Sequence, residues 1–161
     1  MESLVVVIET PRSDSGKYVF NAKENCYKLK KILALGMHFP YDFGMIKNTE
    51  AGDGDPIDAM VFTECRTYPG VQLTCRTIGA LLANQTSPGK KTIRNDRFFF
   101  VPVDSIAFEH IKNISDFSPT HNRQLEAFFV NYNKAEGKTF KPIRYINAEQ
   151  AEKLLRTHLP G

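Results

Sequence analysis

Helical periodicity is confined to the end of this chain, and that asymmetry most constrains its fold. Before residue 118 the apolar residues come in short runs broken by turn residues; beyond it Leu125, Phe128, Phe129 and Tyr132 recur at three- to four-residue spacing. A period near 3.6 marks one apolar helix face, whereas short runs rich in β-branched and aromatic residues mark strands. The runs are residues 4–8, 17–22, 26–33, 59–62, 71–83 and 97–103. Pro11, Ser13-Asp14-Ser15-Gly16 and Pro69-Gly70 punctuate them, and these residue types close strands and make turns. Residues 36–44 read as an aromatic, Pro/Gly-punctuated bend that packs, and residues 84–91, with Ser87-Pro88-Gly89, as an exposed polar loop. Residues 97–103 are the last clear strand. Short strands at this spacing predict a closed or nearly closed barrel.

The helical end carries its own boundaries. Ser118 is a candidate N-cap with Pro119 at the first helical position, and Gly137 stops the helix. A shorter helix is expected from Ala148 to about Arg156, capped by Asn147. Strands first and helices last imply an α+β, mainly β class, with the helices packed on the barrel.

A chain of 161 residues with 42% hydrophobic content suits one domain, residues 1–161, with a substantial core. The formal charge of +3 admits anionic ligands without calling for nucleic acid. Cys26, Cys65 and Cys75 are odd in number and lack metal or redox spacing, which fits a reducing cytoplasm. The apolar run at residues 4–8 is too short for a signal peptide or a membrane span.

The strongest chemical feature is Asp53-Gly54-Asp55-Pro56-Ile57-Asp58. Three carboxylates share one turn with no cation between them. Unpaired charges near 4 Å repel by roughly 4 kcal/mol per pair at an effective dielectric of about 20. A hard divalent cation relieves that repulsion, and carboxylate oxygens suit magnesium. Gly54 permits backbone angles closed to other residues, and Pro56 keeps Asp55 extended. A solvated Asp/Gly turn is the bland alternative. A calcium EF-hand fits worse, because Asp58 stands where that loop requires glycine and no helical pattern flanks the segment.

The order of motifs resembles the soluble inorganic pyrophosphatases of family I. It runs Val6-Val7-Ile8-Glu9-Thr10-Pro11, Lys17-Tyr18, Phe39-Pro40-Tyr41-Asp42-Phe43-Gly44, then residues 53–59, Val101-Pro102 and Phe128-Phe129-Val130-Asn131-Tyr132. The resemblance covers nearly the whole chain. It implies a five-stranded OB-like barrel with two or three flanking helices, the main ones C-terminal. It implies a cytoplasmic, homo-oligomeric (hexameric) hydrolase that splits pyrophosphate into two phosphates with Mg2+, or with Mn2+. By position, it implies that Asp53 and Asp58 ligate metal and that Glu9 is an acid near the metals. Asp55 would orient or deprotonate the attacking water. Lys17, Lys31, Arg97 and Tyr132 would bind phosphate. Asp96 would replace a missing metal-binding aspartate if its loop shifts.

The chain departs from the family pattern within the site. Val19 stands where the family has an acid, Phe43 where it has a tyrosine, and Gln85 and Asn95 where it has metal-binding aspartates. Asn133 replaces a lysine, and Lys31 keeps the charge of an arginine without its planar fork. These losses predict at most one or two weakly bound metals. By analogy with removed oxyanion donors, each missing transition-state contact costs about 2.7–4 kcal/mol. A catalytically silent relative that binds metal, phosphate or a protein partner is therefore the alternative. A single-strand nucleic-acid binder, suggested by Phe98-Phe99-Phe100 beside Lys90, Lys91, Arg94 and Arg97, is a third reading.

Overall fold

The structure is a computed structural model that describes residues 3–159. In chain order the strands are β1 (Ser3–Thr10), β2 (Gly16–Asn21), β3 (Cys26–Ile32), β4 (Asp42–Ile46) and β5 (Asp58–Val61). They continue with β6 (Gln72–Thr86), β7 (Ile93–Arg94) and β8 (Arg97–Pro102). Helix α1 (Pro119–Ala135), β9 (Thr139–Asn147) and α2 (Ala148–Arg156) complete the order.

Five strands close a ring. Neighbours run β1-β4-β5-β8-β6, and β6 pairs back onto β1. All these pairings are antiparallel except β5–β8, which is parallel with Ala59 opposite Phe98. The expected closed barrel is therefore present. β7 and β9 extend the sheet from the far half of β6, and β2–β3 forms a separate hairpin.

Three strands fall where none was expected: β4, β9 and the two-residue β7, which pairs with Asn84 and Gln85 of β6. β4 overlaps the end of the stretch read as a bend and runs past it, and its glycine is why: a Cβ on Gly44 would meet the Val7 carbonyl oxygen at 1.9 Å. Gly44 thus permits β1 and β4 to approach, at the cost of a weak strand signal. β9 lies beyond the last expected strand. Pro142 and three exposed polar or charged residues, Thr139, Lys141 and Arg144, mask it. Pro142 is tolerated at the irregularity opposite Leu82/Ala83. The exposed loop expected at residues 84–91 is also shorter than the reading, because β6 runs on to Thr86 between β7 and β9. That extension buries Gln85.

The sheet buries residues on both faces. One cluster, with Phe43, Met60, Phe62, Phe99 and Val101, packs under Leu125, Phe129 and Tyr132 of α1. The other, with Val6, Ile8, Ala59, Val61, Phe98 and Phe100, packs against Ala151 and Leu155 of α2. Phe98, Phe99 and Phe100 thus alternate between the two and are 2%, 0% and 0% exposed, leaving no ring face on which a base could stack. Each such burial contributes about 1.5–3 kcal/mol. Both helices start as expected. The Ser118 hydroxyl accepts from the His121 N–H at 3.1 Å, and Asn147 and Gln150 exchange hydrogen bonds in a capping box. No helix among the described residues is long and apolar enough to cross a membrane.

Candidate active site

The acidic turn connects β4 to β5. Gly54 takes φ +83° and donates to the Ala51 carbonyl at 3.0 Å. The Asp53 carboxylate accepts from the Asp55 N–H at 3.1 Å, so one carboxylate shapes the turn that carries the next. Thr49 anchors the base, donating to the Ile46 carbonyl at 2.7 Å and accepting from the Ile57 N–H at 3.0 Å. Ile57 is buried, Asp53 and Asp55 are exposed, and Asp58 at the start of β5 is half-buried.

Glu9, near the end of β1, faces this turn. Its carboxyl is pushed up to about 7 by burial first, then by the negative charges of Asp58 and Asp55, with Lys17 and Lys30 pulling the other way. It therefore marks the seam between an acidic wall and a basic one.

The basic wall belongs to the β2–β3 hairpin. Lys17 and Lys31 are cross-strand register partners. Their ammonium groups lie 5.6 and 4.7 Å from the centroid of the Tyr132 ring, within cation–π range. Tyr132 is 7% exposed and wedged between Phe39 and Phe128, and its hydroxyl is buried without a hydrogen-bond partner among the described residues. Burial and the nearby Lys17, Lys138 and Lys30 depress the Lys31 ammonium, and the Glu136 carboxylate is its counter-charge. Lys138 also reaches Glu136, at 3.4 Å. Sequence reasoning did not select Lys30, Lys138 or Glu136. The Lys30-Lys31 pair and a lysine just past the Gly137 helix stop were the available signals.

A third group lies between β5, β6 and β8. Arg97 is 5% exposed and contacts the Asp58 carboxylate at 2.7 Å. The same guanidinium donates to Asn95 Oδ1 at 2.7 Å and to Gln85 Oε1 at 3.4 Å, and Asn95 donates to Gln85 at 2.9 Å. Asp96, next in the chain, accepts from the Ala83 N–H at 3.0 Å and pairs with Arg94. It also lines a cleft of 290 Å³ with Asp58, Arg94, Asn95 and His158.

Phe43, Asn133 and the neighbouring Asp42 are held by contacts within the fold, whereas Val19 on β2 is half-buried. The Phe43 ring lies tilted against Phe39, with centroids 5.3 Å apart, inside the core. Asn133 is buried and donates to the Phe129 carbonyl at 2.8 Å. Asp42 is buried and accepts from the Arg12 N–H at 2.7 Å, tying β4 to the β1–β2 loop.

The chemistry of the donor set decides what a metal could find here. Among the described residues no three His, Cys, Asp or Glu side chains form a ready cage. Glu9 is raised chiefly by burial, and the carboxylates of Asp58 and Asp55 add to it; a cation near Glu9 and Asp55 would favour the charged carboxylates. That half of the site fits a divalent ion. The half built from Gln85, Asn95 and Arg97 does not, since its oxygens already face a guanidinium.

Residues 6–159 match the family model described as inorganic pyrophosphatase. The chain is 35% identical over 133 residues to an inorganic pyrophosphatase from Synechocystis, covering 83% of this chain and 76% of the relative. It is 31% identical over 148 residues to one from Geobacillus stearothermophilus, covering 92% and 87%. The crystal structure of inorganic pyrophosphatase from Thermus thermophilus superposes with a TM-score of 0.88 at 27% identity, covering 98% of this chain and 90% of the other.

Proposed function

This chain belongs to the inorganic pyrophosphatase family, and on that premise we propose that the acidic and basic walls around Glu9 are its active site. The protein is a hydrolase of inorganic pyrophosphate: one water is consumed, the bridging P–O bond breaks, and two phosphates leave. The observation that carries the site is that Glu9, half-buried at the end of β1, lies within the fields of both the carboxylates Asp55 and Asp58 and the ammonium groups Lys17 and Lys30. A tetravalent anion needs cations to approach carboxylates at all.

Each side chain has a role that suits its position. Asp55, exposed on a turn shaped by Asp53, orients the attacking water and accepts its proton. Lys17 and Lys31, aligned across the hairpin, hold the phosphate oxygens and offset charge on the leaving phosphate. The unpartnered Tyr132 hydroxyl donates to the same phosphate. Arg97 adds fixed positive charge beside Asp58. The family is magnesium-dependent in general, and Asp53, Asp55 and Glu9 are the residues that would hold the ion here. When bound, it would supply charge neutralisation and a more acidic water. Magnesium is the expected ion and manganese an alternative. A cytoplasmic location and a homo-oligomer, hexameric by resemblance, complete the reading.

Phosphate release from pyrophosphate with magnesium or manganese tests the proposal. Turnover by the native chain and its loss in Asp55→Asn support it. A native rate no faster than that variant rejects it.

A further inference from the structure

The parallel register of β5 and β8 places Ala59 opposite Phe98. Asp58 and Arg97 each come one residue earlier, so the pairing sets them side by side at the same end of the sheet. Their contact is 2.7 Å. The guanidinium is then fixed from other directions by Asn95 Oδ1, Gln85 Oε1 and the rings of Phe129 and Phe140, whose centroids lie 5.6 and 5.2 Å away. It is buried, permanently charged and preorganised. A divalent ion brought to the Asp58 carboxylate would meet a like charge on Oδ2 that is held in place from its other sides. Gln85 and Asn95 carry no charge to draw the ion in, and their oxygens are already accepting.

Building on the pyrophosphatase reading, we infer that Arg97 is the resident cation of Asp58 and stands in the place of one divalent ion. Metal binding is then left to Asp53, Asp55 and Glu9. The positive charge on Asp58 is present at every magnesium concentration, so this part of the site is assembled without metal.

Manganese counting by electron paramagnetic resonance tests this on three proteins: native, Arg97→Met, and the double variant Asp58→Asn/Arg97→Met. Arg97→Met frees the Asp58 carboxylate and should bind one more Mn2+ per chain than the native protein. The double variant, with that carboxylate gone, should return to the native count. Equal counts in native and Arg97→Met overturn the inference. If Arg97→Met fails to fold, native protein labelled with 15N-arginine carries the test. The Arg97 guanidinium resonances should stay unshifted and slowly exchanging as Mg2+ is added to saturation. Their displacement by the ion overturns the inference. Phosphate release by the native chain is measured alongside. Turnover with unchanged metal counts rejects only the role of Arg97, whereas no turnover rejects the pyrophosphatase reading on which it rests.

Discussion

Lys17 and Lys31 are register partners across the β2–β3 hairpin, and both ammonium groups lie over the Tyr132 ring, at 5.6 and 4.7 Å. Two like charges on adjacent strands repel, and cross-strand like pairs destabilise a hairpin. The Tyr132 ring and the Glu136 carboxylate offset part of that repulsion. An anion between the lysines would remove the rest.

The lysines therefore trade hairpin stability for substrate affinity. Replacing either with alanine should raise KM for pyrophosphate about tenfold, roughly 1.4 kcal/mol of binding. Lys17→Ala should not lower the melting temperature, whereas Lys31→Ala leaves Glu136 with Lys138 alone and should lower it slightly. A drop in thermal stability with unchanged KM would show that the pair is structural. Steady-state phosphate release and a thermal melt on the same samples separate the two.

Tyr132 can be dissected by two substitutions. Its hydroxyl is buried with no hydrogen-bond partner among the described residues, so Tyr132→Phe removes a desolvated polar atom that gains nothing from them. That variant should melt at or slightly above the native temperature while kcat falls about tenfold, roughly 1.4 kcal/mol. Tyr132→Ala removes the ring that packs on Phe39 and Phe128 and should destabilise by about 3–5 kcal/mol. Equal kcat for the native protein and Tyr132→Phe would leave the hydroxyl without a role.

Gly44 tests the barrel itself. Any side chain there collides with the Val7 backbone at 1.9 Å, and a backbone carbonyl cannot swing aside as a side chain can. Gly44→Ala should cost about 3 kcal/mol or more by forcing β1 from β4. Glu9 lies between Ile8 and Thr10, where the β1–β4 register shifts, so cation binding should weaken together with stability. Urea unfolding and manganese binding measured on one preparation check that linkage.

The residues legible in the sequence are those whose signal is local. The acidic turn, the Ser118 and Asn147 caps and the α1 apolar stripe could be read because each depends on neighbours a few residues away. β4 and β9 could not, since each is stabilised by a pairing rather than by its own composition. Gly44 weakens the strand signal of one, and Pro142 with flanking charges masks the other. The Asp58–Arg97 pair was hidden for the same reason. Both residues stood out singly, one as a metal ligand and one as a phosphate contact. Only the parallel β5–β8 register reveals that they neutralise one another. Asp96, a proposed replacement ligand, is drawn instead to the Ala83 N–H and Arg94, contacts that no spacing rule encodes.

Glu9 should make stability and activity respond to pH in opposite senses. Burial and the Asp58 and Asp55 charges lift its carboxyl from the ordinary 4.5 to about 7, against the pull of Lys17 and Lys30. Between those values the folded protein binds the proton and the unfolded chain does not. The associated stability is fully present below pH 4.5 and is lost as pH rises through about 7. Its size is on the order of 2–3 kcal/mol. Without divalent ion, Glu9→Gln should therefore unfold at a higher temperature than the native chain at pH 8, by several degrees, and show no gain at pH 4. A cation near Glu9 favours the charged carboxylate, so magnesium should flatten the native pH dependence and leave that of Glu9→Gln unmoved. The same variant should bind manganese more weakly and turn over more slowly at pH 8, because the charge that strains the free protein is the charge that holds the ion. Melts at both pH values, with and without magnesium, check the stability part, and manganese titration with phosphate release at pH 8 checks the rest. A Glu9→Gln protein no more stable than native at pH 8 would show that Glu9 titrates as an ordinary surface carboxylate.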